Sequence, residues 1–285
     1  MTRATAPTSS ANARAVLATL EQRARRRFGQ HFLTDPGVVE RIVRGARVEP
    51  GDRVVEIGPG LGVLTDALLA AGADLLAIEL DRDLAEHLSE RLPELRLVQA
   101  DAARVDWDEL LGDGPRAKVV ANLPYNVGTT LTMQILRRPA RFASVTVMLQ
   151  REVVDRMCAE PGSRTYGALS VELQARARPT YVTLVPPDRF FPPPKVHSSV
   201  VRLDLFDAPE VGEVTPEHFD AVVRAAFSQR RKALPNSLGG RYGKERARAA
   251  VQSVGIDLQA RAEQLDLPAF RALAAALDDR DGEGR

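Results

Sequence analysis

From position 53 the sequence alternates short, continuously apolar runs with amphipathic stretches. The runs are RVVEIG, LLAIEL, LRLVQA, KVVANL, SVTVML, YVTLVP and SVVRLDL, and segments such as LTDALLAAG and DLAEHLSERL between them have helical spacing. Strands that alternate with helices build βαβ units and a parallel sheet. Runs that are apolar throughout, rather than at every second residue, belong to strands covered on both faces. The last two runs follow each other in hairpin order, so one antiparallel strand is expected at the end. After LFDAPEVGEV the strand signal stops, and residues 215–280 read only as helices, for example PEHFDAVVRAAF and PAFRALAAALD. A domain boundary is expected near residue 207.

The remaining composition narrows the class. Apolar residues make up 44% and charged residues 27% of 285 positions, a balance that suits a soluble globular protein. Apolar runs all fall short of the roughly 20 residues that span a bilayer, and MTRATAPTSSANARAV lacks the apolar segment of a secretory signal. A single cysteine, Cys158, excludes an intrachain disulfide and a multi-cysteine metal site. A cytosolic protein with no metal and no membrane partner is expected, with Cys158 and Trp107 as packing residues. Residues 1–12 are small and polar and are predicted to be disordered, and ARAVLATLEQRARRRF reads as a short helix.

The net charge of +1 conceals a segregation. Residues 1–27 carry six Arg against one Glu, and residues 224–248 carry eight Lys or Arg against Glu245 alone, while 276–285 is acidic. Two basic clusters suit phosphate backbones, and they equally suit solvated helix faces.

VVEIGPGLGVLTDALL reads as a strand, a turn with Gly58, Gly60 and Gly62, and a helix. Glycines there let a ligand approach the backbone at a helix N-terminus. Glu79 ends the next strand, 19 residues after Gly60, where an acid accepts hydrogen bonds from ribose hydroxyls. Asp101 ends the third strand and suits an adenine amino group; a helix cap at Asp101 and a surface position for Glu79 are the plainer alternatives. The third glycine of the dinucleotide pattern is replaced by Val63, and Glu56, inside the strand, would repel a pyrophosphate. Glu56 suits a cationic group instead. Adenosine joined to a cationic amino acid, without phosphate, describes S-adenosylmethionine.

Asn122-Leu123-Pro124-Tyr125 follows the fourth strand, at the same carboxyl edge. An exocyclic adenine amine is a poor nucleophile because its lone pair is delocalised into the ring. Acceptors from the Asn122 side chain and the Leu123 carbonyl draw it toward tetrahedral geometry, Pro124 holds that carbonyl, and Tyr125 stacks on the base. Catalysis would then rest on positioning and electrostatics. A strand-to-helix turn with Asn122 as N-cap is the alternative.

NLPYN, EIGPGLGVLT, IELDRDL, GQHFLTD and FFPPPKVHSSVVRL together resemble the ribosomal RNA adenine N6-dimethyltransferase family, over about three quarters of the chain from Phe28 to the basic FSQRRKALPNSL. The resemblance implies a class I S-adenosylmethionine methyltransferase: a Rossmann-like, mostly parallel seven-stranded sheet with a small all-helical C-terminal domain. The expected division is a basic extension (1–27), a catalytic domain (28–207) and a helical RNA-binding domain (208–285). It implies that Gln30, His31 and Leu33 border the cofactor, and that Glu56, Gly58, Gly60, Glu79, Leu80, Asp101, Ala102 and Asn122 contact it. Phe190 and Tyr125 would sandwich the target adenine, with Phe191 packing behind. Lys195, Arg230, Arg231 and Lys232 are the RNA-binding candidates, although Lys195 also suits an ordinary surface position. RTYGALSVELQARA (164–177) reads as a helix after a basic loop that would gate the RNA. Two departures from the family pattern are His31, where Asn is usual, and the bulk of Phe191. The pattern is nearest to members acting on 16S rRNA. It implies a monomer that dimethylates two adjacent adenines of a small-subunit loop during ribosome assembly. A 23S rRNA methyltransferase, a non-catalytic RNA-binding assembly factor and a nicotinamide-dependent dehydrogenase are the competing readings.

Overall fold

A computed structural model describes residues 31–278. Gln30, the helix expected over 13–28 and the end of the acidic tail lie outside the described residues. Backbone packing divides the chain into two compact units, one containing residues up to Val154 with Pro179–Leu205, the other Asp155–Arg178 with the residues from Phe206 onward.

The first unit is built on a seven-stranded sheet. Its elements are β1 (Phe32–Leu33), α1 (Pro36–Ala46), β2 (Arg53–Ile57), α2 (Val63–Ala70), β3 (Asp74–Glu79), α3 (Arg82–Arg91), β4 (Arg96–Gln99), α4 (Trp107–Leu111), β5 (Ala117–Asn122), α5 (Gly128–Leu136) and β6 (Phe142–Gln150). In chain order there follow α6 (Arg151–Met157), which crosses into the second unit, α7 (Ala168–Gln174) of the second unit, and then β7 (Ala177–Val185), β8 (Phe190–Phe191) and β9 (Ser198–Leu205). The strand order is β4-β3-β2-β5-β6-β9-β7. The pairs β4/β3, β3/β2, β2/β5 and β5/β6 are parallel; β9 runs antiparallel to β6, from Ser144↔Asp204 to Gln150↔Ser198. All seven apolar runs are strands. The antiparallel strand expected at the end of the sequence lies inside the sheet, between β6 and β7.

The reason for the continuous apolarity is visible in burial. Val54, Val55, Ala77, Val119, Val120, Val145 and Val147 are fully enclosed, as central parallel strands covered by helices must be. Helix starts follow capping chemistry: Asp35 accepts the Val38 N–H at 2.8 Å ahead of Pro36, and Asp81 accepts those of Asp83 and Leu84. Trp107 is buried edge-on to Phe142, with centroids 5.2 Å apart.

A separate two-stranded sheet pairs β1 with β8, antiparallel, through Phe32↔Phe191 and Leu33↔Phe190. Thr34 extends it by donating to the Arg189 carbonyl at 2.9 Å, and Arg189 is ion-paired to Asp35 at 2.7 Å. Two residues per strand are too few for any periodicity to show in the sequence.

The second unit contains α7 with α8 (Pro216–Phe227), α9 (Leu234–Tyr242), α10 (Lys244–Ser253) and α11 (Leu267–Ala276). Its core gathers Tyr166, Val171, Phe219, Phe270 and Leu273. The expected contiguous boundary at 207 is therefore corrected: residues 155–178 pack with the C-terminal helices. Two bonds fix them there: the Tyr166 hydroxyl donates to the Leu265 carbonyl at 3.0 Å, and Arg176 pairs with Asp220 at 2.9 Å, both side chains almost fully enclosed. A buried ion pair demands its partner, because leaving either charge alone costs about 3–5 kcal/mol. Burial pushes the Cys158 thiol up to about 11, which leaves it a packing group.

Candidate active site

The sheet order reverses beside β2: β3 and β4 extend to one side, and β5 then returns to the other. Such a switch point opens a crevice at the carboxyl ends of the strands. There one cavity is lined by the ends of β2, β3 and β5, the turns after them and after β4, and the β1/β8 ribbon.

The glycine turn after β2 is shaped by left-handed backbone: Gly58, Gly60 and Gly62 have φ of 69°, 58° and 79°. Gly62 also lies beneath side chains, and a Cβ there would meet Leu88 at 2.7 Å and the Arg91 guanidinium. Arg91 is held by both Asp66 oxygens at 2.8 Å.

Glu79 is 3% exposed, so the surface position is excluded. Its Oε2 accepts the Gly60 N–H at 3.0 Å and its Oε1 the Asp81 N–H at 2.9 Å. Burial holds its carboxyl above the usual range, against the pull of those two N–H groups. The same acid thus anchors the glycine turn and the N-cap of α3, and presents its remaining lone pairs to the cavity. Glu56 is 1% exposed and accepts the Thr65 hydroxyl at 2.7 Å. Burial, reinforced by the charges of Glu79 and Asp66, pushes it up to about 8. Asp101 accepts the Ala103 N–H at 2.9 Å and faces Arg104 at 3.5 Å. It caps a turn and lines the cavity at once.

Asn122 is not an N-cap. The cap position of α5 is Val127, and the Asn122 amide donates to the His31 carbonyl at 3.3 Å. That bond turns Nδ2 toward β1 and leaves Oδ1 as the acceptor for a ligand. The turn closes on the Pro124 carbonyl, which accepts the N–H groups of Val127 and Gly128 at 3.2 and 2.9 Å. Tyr125 is oriented by its hydroxyl, 2.7 Å from Ser198 Oγ, and burial raises its phenol. His31 donates from Nδ1 to the Pro192 carbonyl at 2.8 Å, and its ring lies 5.9 Å from that of Tyr125.

His31, Leu33, Glu56, Gly58, Gly60, Glu79, Leu80, Asp101, Ala102, Asn122, Leu123, Pro124, Tyr125 and Phe190 all border this cavity. Phe190 is 5% exposed. Phe191 packs with Phe32, Leu61 and Leu84. The basic candidates lie elsewhere. Lys195 is exposed in the loop before β9, and Arg231 and Lys232 are exposed on the second unit. Arg230, also on the second unit, is tied within it: it pairs with Glu263 at 3.0 Å and donates to the carbonyls of Tyr166, at 3.1 Å, and Arg164. Among the lining residues that sequence reasoning missed are Phe32, Leu131 and Val127. Val127 is 43% and Leu80 51% exposed, two apolar side chains on the cavity wall. An apolar residue directly after a polar turn motif was the available signal for Val127.

Known proteins with this architecture agree in kind. The family described as ribosomal RNA adenine dimethylase matches residues 21–279. The ribosomal RNA small subunit methyltransferase A of Syntrophotalea carbinolica is 45% identical over 257 residues, 90% of this chain and 97% of the relative. Its namesake in Pseudomonas putida is 42% identical over 267 residues, 91% and 97% of the two chains. Among solved structures, a dimethyladenosine transferase from Plasmodium falciparum superposes with a TM-score of 0.73 at 25% identity, covering 85% of this chain and 96% of that one. The 23S rRNA methyltransferase ErmE superposes at 0.67, also at 25% identity, covering 87% and 99%. The sheet is that of a class I methyltransferase.

Proposed function

The chain belongs to the ribosomal RNA adenine dimethylase family, and from that premise we propose that it dimethylates the N6 amines of two adjacent adenines in a 16S rRNA loop during assembly of the small subunit. It acts in the cytoplasm as a monomer. The observation that carries the reading is the convergence, on one cavity, of a glycine turn anchored by a buried acid and an Asn-Leu-Pro-Tyr turn whose amide is already oriented.

S-adenosylmethionine fits the donor set. Glu79 has lone pairs left for ribose hydroxyls, Asp101 suits the adenine amine, and Leu80 and Val127 offer apolar contact to a base plane. Glu56, with no phosphate to repel, suits the α-ammonium. Bound there, the cofactor supplies an electrophilic methyl on a sulfonium. The remaining work belongs to the chain. Tyr125 and Phe190 hold a flipped adenine between rings, which requires a single-stranded or loop target. Asn122 Oδ1 and the Leu123 carbonyl accept from its amine and favour the tetrahedral form, in which the lone pair is localised. These acceptors strengthen as positive charge develops, so they act on the transition state more than on the ground state. No strong base is needed, because the methylated amine is acidic and releases its proton to water. Lys195, Arg231 and Lys232 neutralise phosphates of the rRNA.

The likeness to ErmE raises the 23S rRNA as a second substrate. Small-subunit methyltransferases at 41–45% identity weigh more than a structural neighbour at 25%. A non-catalytic assembly factor is disfavoured by the oriented Asn122. Titration with S-adenosylhomocysteine, followed by single-turnover transfer to unmethylated small subunits, tests the reading. Absence of both binding and transfer would reject it.

A further inference from the structure

Glu56 is the least explained ionisable group of the cavity. A structural carboxylate 1% exposed normally has a cation beside it, because burying an unpaired charge is costly. Glu56 is bonded to a neutral hydroxyl, that of Thr65, and shares the cavity with a second buried carboxylate, Glu79. The charges that bear on it are Glu79 at the end of β3, Asp66 on α2 and Arg91 on α3. Arg91 pulls Glu56 down only as the least of these causes and makes no bond to it, its Nη1 being held by both oxygens of Asp66. Asp81, Asp101 with Arg104 beside it, and His31 also line the cavity, and none of them is bonded to Glu56. Two buried acids in one cavity without a dedicated cation cannot both ionise cheaply.

We propose that Glu56 holds a proton in the free protein and surrenders it when the α-ammonium of the cofactor arrives, so that binding exchanges one proton for one cation. The inference rests on the cofactor reading above. The direction of the Glu56 shift agrees with it, since a group at about 8 is mostly protonated at neutral pH. The Thr65 bond is compatible with both states: its hydroxyl donates to Oε2 while Oε1 carries or loses the proton. The exchange also discriminates among adenosine compounds. A ligand with no ammonium group meets a neutral carboxyl and gains no ion pair there.

The test is calorimetric and needs no turnover. Wild-type protein is titrated at pH 7 with S-adenosylhomocysteine, which keeps the amino acid, in phosphate and in Tris, two buffers of very different ionisation enthalpy. The apparent binding enthalpies should differ by the amount expected for release of close to one proton. The dissociation constant should rise toward tenfold for each unit the pH falls below 8, the limiting slope for one linked proton. Glu56→Gln, isosteric with the protonated acid, should bind more weakly, with no buffer effect and a flat profile over the same range. 5′-Methylthioadenosine, which lacks the amino acid, should show neither effect on the wild type. Buffer-independent enthalpy with S-adenosylhomocysteine, or the same proton release with 5′-methylthioadenosine or with Glu56→Gln, overturns the inference while leaving the cofactor reading intact. Failure of S-adenosylhomocysteine to bind at all overturns both.

Discussion

Replacing Glu79 by Ala separates its two duties. In the folded protein its carboxylate accepts the N–H groups of Gly60, at 3.0 Å, and Asp81, at 2.9 Å. Each buried donor left without a partner costs about 1–3 kcal/mol. The space left by the side chain opens onto the cavity, so water enters and replaces part of each bond. Removing Glu79 also relieves the burial that raises its carboxyl. The two donors would sum to about 2–6 kcal/mol, and these offsets bring the net loss of stability to about 1–2 kcal/mol. Binding loses more. A hydrogen bond to a charged group contributes about 1.5–3 kcal/mol, and the ribose loses one shared acceptor that water replaces only in part. At about 1.4 kcal/mol per decade, cofactor affinity should fall by roughly one to two orders of magnitude. Urea unfolding gives the first quantity and calorimetric titration with S-adenosylhomocysteine the second. Wild-type affinity in a folded Glu79→Ala protein would remove Glu79 from the site and break the account of the glycine turn.

Asn122→Ala should reduce single-turnover methyl transfer about a hundredfold or more, by analogy with the roughly 2.7–4 kcal/mol lost with an oxyanion-hole donor, while cofactor affinity changes only several-fold and the melting curve stays put. Its bond to the His31 carbonyl is long, at 3.3 Å, so the fold loses little. Neutralising Arg231 and Lys232 should flatten the slope of log affinity against log salt for RNA by roughly 0.7–0.9 for each phosphate that is no longer neutralised, without changing the melting temperature. Arg230→Ala should behave oppositely, destabilising the helical unit by about 1–2 kcal/mol through its lost ties to Glu263 and Tyr166, with a smaller effect on the salt slope. Glu56 sets a pH dependence of folding. Its folded value is raised to about 8 from 4.5, so the free folded state holds a proton that the unfolded chain releases, and its contribution is full below 4.5 and lost as pH rises toward 8. The stability of the free wild type to urea should fall by up to about 1.4 kcal/mol per pH unit through that window, and Glu56→Gln should lack this component.

What the sequence disclosed about this molecule follows from which forces act locally. Strands β2, β3 and β5 were legible because burial on both faces makes them continuously apolar, and a parallel sheet places all their carboxyl ends on one edge. Glu79, Asp101 and Asn122 could be assembled into one region on that basis alone. The β1/β8 ribbon was not legible, since two residues per strand leave no periodic trace and the partners are more than 150 positions apart. The helix over 168–174 was legible as a helix but not as part of the C-terminal unit, because spacing marks an apolar face and not the face it meets. The ties on either side of it, Tyr166 to the Leu265 carbonyl and Arg176 to Asp220, are fixed only by the tertiary fold. Arg230 illustrates the same limit for charge. A basic run shows where cations are, and a guanidinium bonded to backbone carbonyls looks the same in sequence as one free to meet phosphate.

The central claim is that this cavity transfers methyl groups to adenine N6 in small-subunit rRNA. Its most direct test is to incubate the protein with S-adenosylmethionine labelled in the methyl group and, separately, unmethylated small and large ribosomal subunits, then map the label by nucleotide. N6,N6-dimethyladenine is expected at two adjacent positions of 16S rRNA, with no label in 23S rRNA and near-complete loss of label with Asn122→Ala. Label in the large subunit would reassign the substrate, and a protein that binds S-adenosylhomocysteine yet labels neither subunit would contradict the catalytic reading of the Asn-Leu-Pro-Tyr turn.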